Sequence, residues 1–231
     1  MASTPALAEP PHRAVAPAWH TIALLFASLG FSALGARPQD MLFRAYGRAG
    51  VYVVSMLSEW LIVAFIAYGV RRRGFNLRSL IGGSWPSALT VLRDLAIAVG
   101  FLIISAIVVN GLCALLKATP DQALRNLLPH GTLQITLYLM AALTAGFCEE
   151  IIFRGYLQPQ FTALTQSVGG GIVLQGIVFG AAHGYQGWRF MLVGAVFGMM
   201  FGQLAQLRRS LRPGMMAHFL QDGIGGLMGL R

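Results

Sequence analysis

Thr132–Arg154 reads TLQITLYLMAALTAGFCEEIIFR. Positions 132 to 148 are mostly apolar and run directly into an adjacent carboxylate pair, Glu149 and Glu150. Ile151, Ile152 and Phe153 restore the apolar run before Arg154. This length and character predict a membrane-spanning helix. An ionisable residue inside such a helix is costly and by default points to function. At helical spacing Glu150 and Arg154 are i,i+4 neighbours and neutralise each other as a structural pair. Glu149 points about 100° away around the helix and has no local partner. Its answering group must come from elsewhere in the chain.

Composition agrees with a membrane location. Of 231 residues, 56% are hydrophobic and only 11% charged, against about 25% charged in an average soluble domain. Mean hydropathy is +0.65. Continuous apolar runs favour helices over the alternating strands of a barrel. The net charge of +9 comes almost wholly from arginines scattered between the apolar runs. Such arginines anchor loops to anionic lipid, and they form no basic domain for nucleic acid. Cys113 and Cys148 lie in different apolar runs without metal-ligand or disulfide-framework spacing.

The expected fold is an all-α, polytopic membrane bundle of about seven transmembrane helices, the last four forming a core that the motifs described below mark as catalytic. Residues 1–17 are Pro- and Ala-rich and read as a disordered tail. Residues 18–130 carry the N-terminal spans at 19–36, 51–70 and 89–116. The first of these, with Arg13 ahead and SALGA behind, also has the outline of a signal peptide. Residues 131–231 carry the core, with spans at 132–153, 171–185, 190–207 and 213–230. Between the first two of these, residues 156–166 look interfacial. A small excess of cationic loop residues, including Arg71, Arg72, Arg73, Arg208, Arg209 and Arg212, puts the N-terminus in the cytoplasm. Gly194, Gly198 and Gly202 form a stripe that lets a neighbouring helix approach closely. No repeat supports an inverted-repeat transporter.

Two late spans supply groups that could answer Glu149. FGAAH places His183 four residues after Phe179, and HFLQD places His218 and Asp222 one turn apart on one face. Counting rise per residue along alternating spans puts Glu149 near the far end of its span and His218 near the entry of its own. His183 falls closer to the middle, and all converge in one half of the bilayer, the cytoplasmic half on this orientation. A lone membrane histidine is usually a packing residue, but an unpaired Glu, two His and an Asp at compatible depths point to one polar site.

Two chemistries suit such a site. Glu149 can act as a general base on a trapped water, with His183 and His218 orienting it or stabilising an oxyanion and Asp222 fixing the His218 tautomer or, if protonated, donating. Alternatively Glu149, His183 and His218 hold Zn²⁺ with one position left for water. A different class, a non-hydrolytic binding protein or transporter, would use the same residues as a cation or proton site. Glu59, midway along SMLSEWLIV, belongs to no motif. It either lines a cavity or pairs with an arginine, and the pairing is the simpler expectation.

EEIIFR fits EExxxR, FGAAH fits FxxxH and HFLQD fits HxxxN/D, in that order and in successive late spans. In these motifs residues 130–230 resemble the CPBP intramembrane proteases, which include the type II CAAX prenyl endopeptidases and bacterial Abi-type proteins. The flanking AAHGYQGW resembles the bacterial branch. The resemblance implies an intramembrane endopeptidase of the cytoplasmic (inner) bacterial membrane, acting on a membrane protein or peptide. It implies Glu149 as the water-activating residue, His183, His218 and Asp222 completing the site, and Glu150, Arg154 and Phe179 supporting it. The family is described both as metal-dependent and as glutamate-dependent, so zinc stays open. Asp222 departs from the Asn of the prenyl endopeptidases, which weakens any carry-over of prenyl-protein specificity. Neither substrate-binding residues nor oligomeric state can be read from the motifs.

Overall fold

The computed structural model describes residues 12–33, 37–119, 125 and 127–229. Helix α1 spans Ala18–Ala33, α2 Arg37–Arg71, α3 Leu77–Ile81, α4 Ala88–Leu116 and α5 Gly131–Glu149. A π-helical segment, Glu150–Leu157, leads without a break into α6, Gln158–Thr165. Then come α7, Val168–Ala182, a 3₁₀ turn at Gly184–Gln186, α8, Trp188–Arg208, and α9, Arg212–Met228. Among the described residues there is no strand, only an isolated bridge between Gly82 and Ser210. The protein is an all-α membrane bundle, as its composition predicts.

Four helical segments among the described residues are long and apolar enough to cross a membrane: Met41–Arg71, Ala88–Leu116, Gly131–Thr165 and Trp188–Arg208. The other expected spans are shorter, with 16 residues in α1, 15 in α7 and 17 in α9. α2 begins well before position 51 and bends at Gly47, whose backbone (φ 63°, ψ −170°) is open essentially to glycine alone. Side-chain caps set several starts. Ser87 and Thr90 form a capping box on α4, and Ser167 accepts from the Gly170 amide at the head of α7.

Residues 156–162 continue the preceding helix and pack inside the protein. The helix begun at Gly131 runs on to Thr165 as a 35-residue segment, and Tyr156, Leu157, Gln158, Gln160, Phe161 and Thr162 are all buried. The polar side chains find partners inside the protein. Gln158 donates to the Gly202 carbonyl at 3.2 Å, and Gln160 donates to Thr21 Oγ1 at 2.5 Å and to the Ala16 carbonyl at 3.1 Å. The same contacts hold down the N-terminal segment. Ala16 N donates back to Gln160 at 3.1 Å, and Val15 and Ala16 are buried, so residues 12–17 pack on the bundle instead of trailing from it; residues 1–11 of the expected tail lie outside the described residues. His20, fully buried, stacks on Phe65 (3.9 Å) and hydrogen-bonds the Tyr156 hydroxyl through Nδ1 at 2.6 Å.

Two close approaches position the core. At Gly146 an added Cβ would stand 2.8 Å from the Phe219 amide nitrogen, so only glycine lets α9 lie this close to α5. This contact, one turn before Glu150, sets His218 against the carboxylate pair. At Gly198 an added Cβ would stand 3.0 Å from both Gly176 Cα and Phe179 Cβ, which presses α8 against α7.

Candidate active site

Glu149 closes α5 and Glu150 opens the π-helical segment, and the two carboxylates point to different sides. Glu150 is completely buried. Its Oε1 accepts from Arg154 at 3.0 Å and from His218 Nδ1 at 3.1 Å. The expected Glu150–Arg154 pair is therefore a triad with His218. Arg154 also donates to the Gly198 carbonyl at 3.2 Å, and its guanidinium lies 4.5 Å from the Phe179 ring centre and 4.8 Å from that of Phe201. A π-helical stretch at this point, all eight residues buried, matches the tendency of such bulges to mark functional positions.

Glu149 faces a cavity of about 390 Å³. Its Oε2 is buried without a hydrogen-bond partner, and His218 Nε2 lies 3.7 Å away. Asp222 Oδ2 is also 3.7 Å from His218 Nε2. These separations are ion-pair distances too long for hydrogen bonds. Both ring nitrogens of His218 thus face carboxylate oxygens, an arrangement met by donation only when the ring carries two protons. It is Glu150 that hydrogen-bonds Nδ1, the anchoring role that the sequence suggested for Asp222.

His183 follows the last residue of α7, at the end of the bundle and not near its middle. Its Nδ1 donates to the Phe179 carbonyl at 2.8 Å, which leaves Nε2 as an acceptor in the neutral ring. Phe179 holds the pocket wall as well, packed on His183 (4.6 Å) and Phe153 (4.9 Å). His183, His218, Asp222, Phe179 and Glu149 all line the one cavity.

The cavity reaches the end of the bundle where residues 127–128 and 185–186 lie, opposite the end that carries Arg71–Arg73 and Arg208–Arg209. The expectation of a site near the cytoplasmic end rested on Glu149 lying near the end of its helix. Because that helix continues to Thr165, Glu149 is near its middle, and the cavity lining extends from there toward residues 127–128 and 185–186.

The zinc set expected from the sequence is Glu149, His183 and His218. Among the described residues, no three His, Cys, Asp or Glu side chains are placed to hold a metal ion. His218 and His183 each use Nδ1 away from the cavity, on Glu150 and on the Phe179 carbonyl, and keep Nε2 as the ring nitrogen on the cavity side.

Among the described residues no arginine forms an ion pair with Glu59; it lines the cavity beside Glu149, and its Oε2 is buried without a hydrogen bond. Tyr52, Tyr138 and Tyr185 also line the cavity. Sequence reading passed over these tyrosines because an aromatic near a span end looks the same whether it faces lipid or a pocket.

Residues 131–224 match the family model described as type II CAAX prenyl endopeptidase Rce1-like. Over this segment, less than half of the chain, the protein is similar to that family. No curated protein and no solved structure matches the chain. The matched segment contains Glu149, Glu150, Arg154, Phe179, His183, His218 and Asp222, and the family it matches is one of proteases. Glu59 and Tyr52 reach the same cavity from outside the matched segment.

Proposed function

We propose that the protein is an intramembrane endopeptidase that hydrolyses a peptide bond in a membrane-embedded or membrane-adjacent protein or peptide. The observation that carries this reading is the free Glu149 Oε2, buried on a cavity wall beside His218 and facing room for water and a peptide. A water held between Glu149 and His183 Nε2 would donate to both acceptors and present an oxygen lone pair to the scissile carbonyl. As the oxygen–carbon bond forms, Glu149 takes the proton. His218 Nε2–H lies on the same wall and faces the developing oxyanion. Collapse breaks the carbon–nitrogen bond, and the proton on Glu149 passes to the departing amine. Glu150 and Arg154 hold His218 in orientation and touch no substrate. Asp222 balances the charge of His218 from the cavity side.

Cleavage of a labelled membrane-peptide library by detergent-purified protein tests this, with wild type and Glu149→Gln each assayed with and without a zinc chelator. The expected result is a loss of about 10²- to 10⁴-fold in Glu149→Gln, the usual contribution of a positioned general base. Activity retained under chelation supports water activation by Glu149 without metal. Activity lost under chelation and restored by zinc would replace that mechanism with a metal-assisted one. Full activity in Glu149→Gln would remove Glu149 from its role.

A further inference from the structure

Glu59 lies on α2, outside the matched segment, yet it shares the cavity with Glu149, His218 and Asp222. Two of the cavity's tyrosine hydroxyls and its buried histidine are already engaged elsewhere, and no hydrogen bond reaches Glu59 Oε2 from the lining Ser55 or Gln221. The Tyr52 hydroxyl donates to the Leu127 carbonyl, and the Tyr138 hydroxyl donates to the Asp222 carbonyl at 3.1 Å. His218 is shared among Glu150, Glu149 and Asp222. No lysine or arginine is among the described residues that line the cavity. A buried carboxylate oxygen without a donor is expensive, and more so in apolar surroundings. Whatever occupies the cavity relieves that cost if it brings an N–H donor, and most fully if the donor is charged.

We infer that Glu59 is a specificity residue that receives a cationic side chain of the substrate, a lysine or arginine close to the scissile bond. The inference rests on the peptidase reading for the nature of the ligand. The walls next to Glu59 suit such a group. The rings of Tyr52 and Tyr138 meet edge to face with centroids 5.6 Å apart, and both border the cavity. Aromatic faces beside a carboxylate hold guanidinium and ammonium groups by cation–π attraction as well as by charge. A peptide carrying an acidic residue at that position would add a further carboxylate to a cavity already holding Glu59, Glu149 and Asp222.

The test measures both binding and cleavage. Fluorescent membrane-anchored peptides, identical except for Lys, Gln or Glu at one position walked along the sequence, are titrated into wild type, Glu59→Gln and Glu149→Gln in nanodiscs. At one position wild type should bind the Lys peptide at least about tenfold more tightly than the Gln peptide, and the Glu peptide more weakly still. Glu59→Gln should bring Lys and Gln to near equality, whereas Glu149→Gln should keep the preference while losing cleavage. Wild type that shows no Lys preference at any position overturns the inference without reference to any variant. An undiminished preference in Glu59→Gln overturns it too. If wild type cleaves nothing but shows the Glu59-dependent preference, the peptidase reading fails and the cation site stands.

Discussion

Glu149 and Glu150 are chemically identical neighbours with opposite surroundings. One is locked between Arg154 and His218 with no exposure, and the other keeps a free oxygen at a cavity. The locked one predicts a stability effect. Arg154→Met leaves the Glu150 charge buried beside His218 alone and removes the bond to the Gly198 carbonyl. Breaking a buried pair from one side costs about 3–5 kcal/mol, so thermal unfolding in detergent should shift strongly downward. The double variant Glu150→Gln, Arg154→Met should recover part of the loss, and no recovery would mean that Arg154 acts mainly through its contacts with Phe179 and Phe201. The i,i+4 spacing made the Glu150–Arg154 pair legible and left Glu149 as the odd residue. The bond from His218 to Glu150 was not legible. It spans 68 positions, and helical periodicity reports only what lies within a turn or two. Glu59 illustrates the same limit, since a lone acid in a span gives no hint of which wall it joins.

Among the elements, the pairing of α7 with α8 has the most direct consequence for chemistry. Phe179 lies under Gly198 and supplies the carbonyl that fixes His183. Gly198→Val should therefore displace Phe179, destabilise the bundle by about 1–3 kcal/mol as overpacking does, and lower activity through His183. Gly100, on α4, has nothing within 4 Å of an added Cβ. Gly100→Ala should leave activity unchanged and raise stability by about 0.5–1 kcal/mol, because alanine loses less entropy in a helix. Equal melting temperatures for the two variants would show that the stripe is not a tight contact. The stripe itself was readable, because small residues every fourth position have few other uses in a span. The extension through α6 was not. Gln158 and Gln160 are polar enough to suggest an interface, and only their distant partners on Gly202, Ala16 and Thr21 show why they are buried.

For the whole molecule, the chain reverses direction often enough to put residues 183–188 and 208–212 at opposite ends of the bundle. The cavity reaches the first of these ends and the dense arginine cluster marks the second. In a background with Cys113 and Cys148 replaced by alanine, single cysteines at Gln186 and Arg209 should react with a membrane-impermeant maleimide from opposite faces of sealed vesicles. Labelling from the same face would contradict the membrane-crossing arrangement of α8. The side on which Gln186 reacts also gives the face from which substrate enters, which counting arginines could not fix because the excess is small.

The Glu150–Arg154–His218 triad also bears on how the protein is made. A ribosome adds about 5–20 residues per second, so His218 arrives about 3–14 seconds after Glu150. Until then the helix carrying Glu150 must leave the insertion machinery without its distant partner. Arg154, four residues on, emerges with it and can cancel the charge at once. The arginine therefore has two successive duties, first as a temporary escort into the lipid and later as one arm of a finished triad. Moving the arginine from position 154 to a late position would leave the finished charge count unchanged and remove the escort, a defect read as poorer membrane insertion during synthesis.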